Sequence, residues 1–147
     1  MLYVDDEADN LRAFRATFRR EFQVLIASSG AEGLKIFDQE APQIIITDQR
    51  MPEMTGIEFL VELQKKNSAP MRMLLTGYSD INAVIDSVNK GQVYRYLTKP
   101  WNTDDLRQAI LSAFEVYELR RQNAHLLWEL ERANEQLEFL LRQKLLS

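Results

Sequence analysis

Ile44-Ile45-Ile46 is a β-branched run without polar alternation, and it leads directly into Thr47-Asp48. A run of that kind reads as a strand buried on both faces, which in turn requires a parallel sheet with helices covering each side. The flanking sequence supplies the helices and the other strands. Leu2 to Asp5 is a short apolar run ending in acid, and Glu7 to Arg20 carries Leu11, Phe14 and Phe18 at helical spacing. Phe22 to Ala27 reads as a second strand. Ser28-Ser29-Gly30 then opens a helix bearing Ala31, Leu34 and Phe37, with Ser29 as its cap. Gln43 to Thr47 is the third strand, and Gly56 to Lys66 is a helix with Ile57, Leu60 and Leu63 inward. Met71 to Leu75 is the fourth strand, Asp80 to Asn89 a helix through Ile81, Val84, Ile85 and Val88, and Val93 to Leu97 the fifth strand.

Five strands interleaved with helices predict an α/β fold with right-handed crossovers. At this length the natural candidate is the flavodoxin-like, doubly wound five-stranded parallel sheet of order 2-1-3-4-5. The last segment differs from the rest. Asn102 or Thr103 can cap a helix whose first turn holds Asp104 and Asp105. From there to Ser147 there is no proline or glycine, so an extended C-terminal helix of about 45 residues, roughly 65 Å, is expected. Leu106, Ile110 and Phe114 should pack on the sheet. The division expected is residues 1–118 for the α/β domain and 119–147 for the rest of the helix.

That second half carries a 3-4 apolar spacing. Val116, Asn123, Leu130 and Leu137 take the a positions of a heptad, with Lys144 next, and Leu119, Leu126, Ala133 and Leu140 take d. This is a coiled-coil seam of about four heptads, which predicts a homodimer through the helix. Asn123 in a core position favours a parallel, in-register pair, and Glu115 can meet Arg120 across it. Leu127 and Leu141 widen the stripe, so antiparallel or four-helix packing stays open. His125 has no chemical motif around it and reads as an ordinary exposed histidine.

Composition narrows the function. The formal net charge of −4 argues against a nucleic-acid surface, which needs a basic footprint. No apolar run approaches the roughly 20 residues that span a bilayer, and no signal peptide is indicated. There is no cysteine, which removes disulfides and thiolate chemistry and fits a cytoplasmic location. Met1-Leu2-Tyr3-Val4 reads as the end of a buried strand, as though the natural strand began a residue or two earlier.

Parallel sheets bind ligands where their strands end. Here the first strand ends in Asp5-Asp6, the third in Asp48 and the fourth in Thr76, and the fifth is followed by Lys99-Pro100. Carboxylates gathered at one edge repel unless a cation neutralises them. Mg²⁺ suits such a site because it is held by carboxylates together with phosphate oxygens. A lysine charge, a threonine hydroxyl and an aspartate nucleophile complete what phosphoryl transfer needs.

The stretches Val4-Asp5-Asp6-Glu7, Thr47-Asp48-Gln49-Arg50-Met51-Pro52-Glu53-Met54-Thr55-Gly56, Leu74-Leu75-Thr76-Gly77-Tyr78 and Tyr96-Leu97-Thr98-Lys99-Pro100-Trp101 resemble the receiver domain of two-component response regulators. The likeness covers residues 1–118, with the stretches in the right order and spacing. It is similar in flavour to the receivers of hydrogenase regulators and of phosphodiesterase-, cyclase- or phosphatase-linked proteins. The resemblance implies that Asp48 accepts a phosphoryl group from a histidine kinase. It implies a Mg²⁺ ion held by Asp5, Asp6, Asp48 and the backbone carbonyl of Arg50, and phosphoryl contacts from Thr76 and Lys99. Tyr96 matches the aromatic that swings inward with Thr76, and Arg50 and Tyr78 flank the site where they could control water access. Such a domain is no enzyme toward a separate substrate and catalyses only its own phosphorylation and dephosphorylation. The C-terminal helix would relay the change to an output domain.

Two rival readings are an aspartyl-phosphate phosphohydrolase and a dimerisation scaffold with a vestigial pocket. The first usually has an acid two residues after its nucleophile, where this chain has Arg50. Mg²⁺ binding would separate the second.

Overall fold

Ile44–Asp48 is the middle strand of a five-stranded parallel sheet, and all five of its residues are buried. In the computed structural model, which describes residues 1–90 and 92–147, the strands are β1 (Leu2–Val4), β2 (Leu25–Ala27), β3 (Ile44–Asp48), β4 (Met71–Thr76) and β5 (Arg95–Thr98). They lie in the order β2-β1-β3-β4-β5, every pairing parallel. This is the flavodoxin-like order expected from the sequence. Helices α1 (Ala8–Phe18), α2 (Gly30–Glu40), α3 (Gly56–Lys66), α4 (Ile81–Asn89) and α5 (Thr103–Leu146) alternate with the strands, and a short 3₁₀ turn at Tyr78–Asp80 leads into α4. The chain forms two units, Met1–Phe114 and Glu115–Ser147.

Strand alternation sorts the core into two layers. Leu2 and Val4 of β1 join Phe59, Leu60 and Leu63 of α3 in one fully buried cluster. Tyr3 points to the other face and stacks on Phe14 of α1, with ring centroids 4.2 Å apart. On burial each such side chain contributes roughly 1.5–3 kcal/mol.

Three local expectations need correcting. The second strand begins at Leu25 instead of Phe22, because Phe22 leaves the sheet to stack on Phe114 at 5.6 Å. Aromatic area buried against α5 outweighs the strand propensity of one edge residue. β5 begins at Arg95, although the Tyr94 amide already donates to the Arg72 carbonyl at 2.7 Å and Val93 is buried. In α5, Leu106 and Ile110 are fully buried as expected, together with Ala109 and Ala113, whereas Phe114 is only half-buried.

The helix starts follow the capping residues. Ser29 Oγ accepts the Glu32 amide at 3.1 Å, and the Glu32 carboxylate returns to Ser28 N and Oγ. Ser29→Ala should therefore lower stability by about 1 kcal/mol in urea denaturation with an unchanged slope. Asn102 is the residue that caps α5, accepting the amides of Asp104 and Asp105 through Oδ1 at 2.9 and 3.1 Å.

Candidate functional site

Val4 pairs with Thr47 across β1 and β3, so the residues that follow, Asp5 and Asp48, end level at one sheet edge. Asp6 comes with Asp5, and carboxylate oxygens of the three lie within 4.8 Å of one another. Asp5 is fully buried and Asp48 is 7% exposed, whereas Asp6 is exposed. Thr76 is level with Thr98 across β4 and β5, which carries Lys99 to the same edge. Lys99 Nζ lies 2.7 Å from Asp48 Oδ1 and 3.5 Å from Asp5 Oδ2. Thr76 is buried at the end of β4, where its hydroxyl donates to the Gly77 carbonyl at 3.3 Å. Tyr96 is half-buried against the main core cluster. A cleft of about 270 Å³ opens over Asp48, lined by Asp6, Arg50, Gly77, Ser79 and Lys99 among others.

The charges do not balance. Burial pushes the Asp48 carboxyl above the usual carboxylate range, and the hydrogen bond and charge of Lys99 only partly oppose it. Burial acts to lower the Lys99 ammonium, but its hydrogen bond to Asp48 and the charges of Asp48 and Asp5 outweigh burial and raise it. One ammonium facing three carboxylates leaves net negative charge in a largely dry corner. The donor set is entirely anionic oxygen, which is what a hard divalent cation selects. The cluster could therefore hold such an ion.

Tyr3 and Asn10, which motif reading did not single out, also shape this corner. The Tyr3 hydroxyl donates to Asp5 Oδ2 at 2.7 Å, and the Asn10 amide donates to the same oxygen at 3.1 Å. Burial and the Asp5 charge hold the Tyr3 phenol far above its ordinary pKa, so it stays a proton donor. Period two along β1 places Tyr3 and Asp5 on one face, and that was the available signal for the pair. Gln49 pins the loop after β3: its carbonyl accepts from Gly56 N at 2.9 Å, and its side-chain oxygen accepts from Ile57 N at 2.9 Å. Arg50 forks onto Asp80 at 2.8 and 3.2 Å and reaches Ser79 Oγ at 3.2 Å, joining the loops that follow β3 and β4. Tyr78 is 77% exposed. His125 is exposed and pairs with Glu129.

Comparisons with known proteins find the same fold. A family model described as a response regulator receiver domain matches residues 1–111. The hydrogenase transcriptional regulatory protein HoxA of Cupriavidus necator is 35% identical over 147 residues, all of this chain and 30% of that protein. A solved structure described as adenylate cyclase from Rhodopirellula baltica superposes with a TM-score of 0.83 at 31% identity, covering 86% of this chain and 94% of that one. A receiver domain protein from Clostridium thermocellum gives a TM-score of 0.76 at 33% identity, covering 80% and 95%. The chain spans only 25% to 30% of the length of the hydrogenase regulators it matches. Among the described residues, no helix is long and apolar enough to cross a membrane.

Proposed function

From the premise that this chain belongs to the response-regulator receiver family, whose general function is phosphorylation-based signalling, we propose that Asp48 is its phosphoacceptor and that a histidine kinase is the donor. The observation that carries this reading is the juxtaposition of Lys99 Nζ with Asp48 Oδ1 at 2.7 Å inside a cluster of three carboxylates.

An Asp48 carboxylate oxygen attacks the phosphorus of the kinase phosphohistidine. The oxygen–phosphorus bond forms as the phosphorus–nitrogen bond breaks, and the imidazole leaves with the electron pair. Asp5, Asp6, Asp48 and the backbone carbonyl of Arg50 would hold Mg²⁺, which when bound supplies charge neutralisation for carboxylate and phosphoryl oxygens. Lys99 turns its ammonium to the phosphoryl group once Asp48 is an acyl phosphate. The Thr76 hydroxyl exchanges the Gly77 carbonyl for a phosphoryl oxygen, and Tyr96 follows into the space vacated. The domain acts on itself alone and turns over no separate substrate.

Phosphorylation biases two arrangements of the β4–β5 face, and a few kcal/mol of differential stability shifts their populations substantially. The change passes into α5. Residues 119–147 serve as a coiled-coil signalling helix that joins two copies and leads to an output domain outside these 147 residues. Support comes from the single chain, in which Leu119, Leu126, Leu130, Leu137 and Leu140 are all more than half exposed. Val116, Asn123 and Ala133 complete the seam. The domain itself makes no nucleic-acid contact, and a cytoplasmic location accompanies this reading.

Uptake of one phosphoryl group from acetyl phosphate, dependent on Mg²⁺, tests the site. The helix has its own test. Asn123→Leu should tighten self-association by on the order of 1–3 kcal/mol, the cost of burying an amide, and admit species larger than a dimer. Sedimentation equilibrium reads both effects, and a monomer in both proteins would end the coiled-coil reading.

A further inference from the structure

We propose that Tyr3, assisted by Asn10, is a positioning residue that aims the Asp5 carboxylate at a divalent cation, an inference that rests on the metal-binding reading of the acidic cluster. The two oxygens of Asp5 are unequally used. Oδ2 accepts from the Tyr3 hydroxyl at 2.7 Å, from Asn10 Nδ2 at 3.1 Å and from Lys99 Nζ at 3.5 Å. Oδ1 accepts from the Glu7 amide at 2.9 Å. A carboxylate offers about four lone-pair sites over its two oxygens. Three donors crowd Oδ2, so the capacity left for a cation is on Oδ1.

The hydroxyl contributes little to packing. A phenylalanine ring at position 3 would keep the stack on Phe14, which is 13° from parallel at 4.2 Å. Both Tyr3 and Asp5 are 0% exposed. Without the phenol, a fully buried carboxylate loses its shortest donor and gains freedom to turn. Partners behind a metal ligand typically change metal affinity by about 10–100-fold. Asn10 sits on α1, half-buried, and also reaches Glu7 Oε2 at 3.3 Å, so its share is the smaller one.

The test is calorimetric titration of Mg²⁺ and Mn²⁺ into the 147-residue chain as wild type, Tyr3→Phe and Asn10→Ala, with ¹H–¹⁵N spectra of each metal-free protein. The wild type should bind both ions. Tyr3→Phe should bind them about tenfold more weakly, and Asn10→Ala should be weakened by a smaller factor. The Glu7 amide, which reports the Asp5 Oδ1 bond, should shift in Tyr3→Phe while the amides of Ile45 and Leu60 stay in place. A role in folding alone would leave that signature unmoved. A folded Tyr3→Phe with wild-type affinities overturns the inference. If Tyr3→Phe does not fold, unchanged affinity in Asn10→Ala overturns it instead. A wild type that binds neither ion overturns the metal reading itself, and the positioning role falls with it.

Discussion

Incubated with acetyl phosphate and Mg²⁺, the wild-type chain should gain one phosphoryl group by intact mass, and Asp48→Ala should gain none. The loss is expected to be complete because the other two carboxylates cannot substitute. Asp5 is fully buried, and its carboxylate already accepts from Tyr3, Asn10, Glu7 and Lys99, which hold it away from the cleft wall. Asp6 is exposed, and neither of the two Lys99 ion pairs involves it. Asp48 alone combines the 2.7 Å lysine contact with a place on the wall of the cleft. Its raised pKa, caused chiefly by burial, also marks a carboxylate that a bound cation would help to ionise. An equal adduct in Asp48→Ala would move the acceptor elsewhere. A wild type that takes up no phosphoryl group and also fails to bind beryllofluoride would end the phosphoacceptor reading.

Gly56→Ala should destabilise the domain by about 3 kcal/mol, at the upper end of ordinary overpacking. A Cβ at this position would lie 2.3 Å from the Asp48 carbonyl oxygen and 2.9 Å from Leu74 Cδ1. The first of these is backbone, so no side-chain rotation can relieve it. Gly56 also begins α3, behind the Thr55 cap that accepts the Glu58 amide, and its own amide is tied to the Gln49 carbonyl. Alanine favours a helix over glycine by about 1 kcal/mol, a gain the clash exceeds. Since the displaced atom belongs to Asp48, phosphoryl uptake should fall along with stability. Gly77→Ala is the internal control: nothing lies within 4 Å of its added Cβ, and the change should stay within about 0.5 kcal/mol. Guanidinium denaturation of the two variants would separate them, and equal midpoints would show that the carbonyl has room to move.

Much of this molecule is legible in the chain. Ile44-Ile45-Ile46 requires a strand covered on both faces, and the recurring alternation of strand and helix then leaves few topologies. The gathering of Asp5, Asp6, Asp48, Thr76 and Lys99 at one edge follows from parallel strands ending together, which is a property of connectivity rather than of fine packing. The apolar spacing along α5 is legible for a different reason, since a 3-4 period marks out a stripe from local spacing alone.

The remainder depends on pairs that no local window contains. Phe22 leaves its expected strand because Phe114, far along the chain, offers a ring to stack on. Arg50 turns to Asp80 because the loops after β3 and β4 are neighbours in the sheet. Tyr3 shares a face with Asp5 by simple alternation, but whether its hydroxyl reaches a carboxylate oxygen depends on how Phe14 seats the ring. By itself the sequence determined where strands and helices alternate and which faces they bury, because both are written in spacing along the chain, and the connectivity of parallel strands then restricted their order. Only the tertiary structure decided which donor meets which acceptor, because a hydrogen bond is sensitive to tenths of an ångström set by the packing of distant elements.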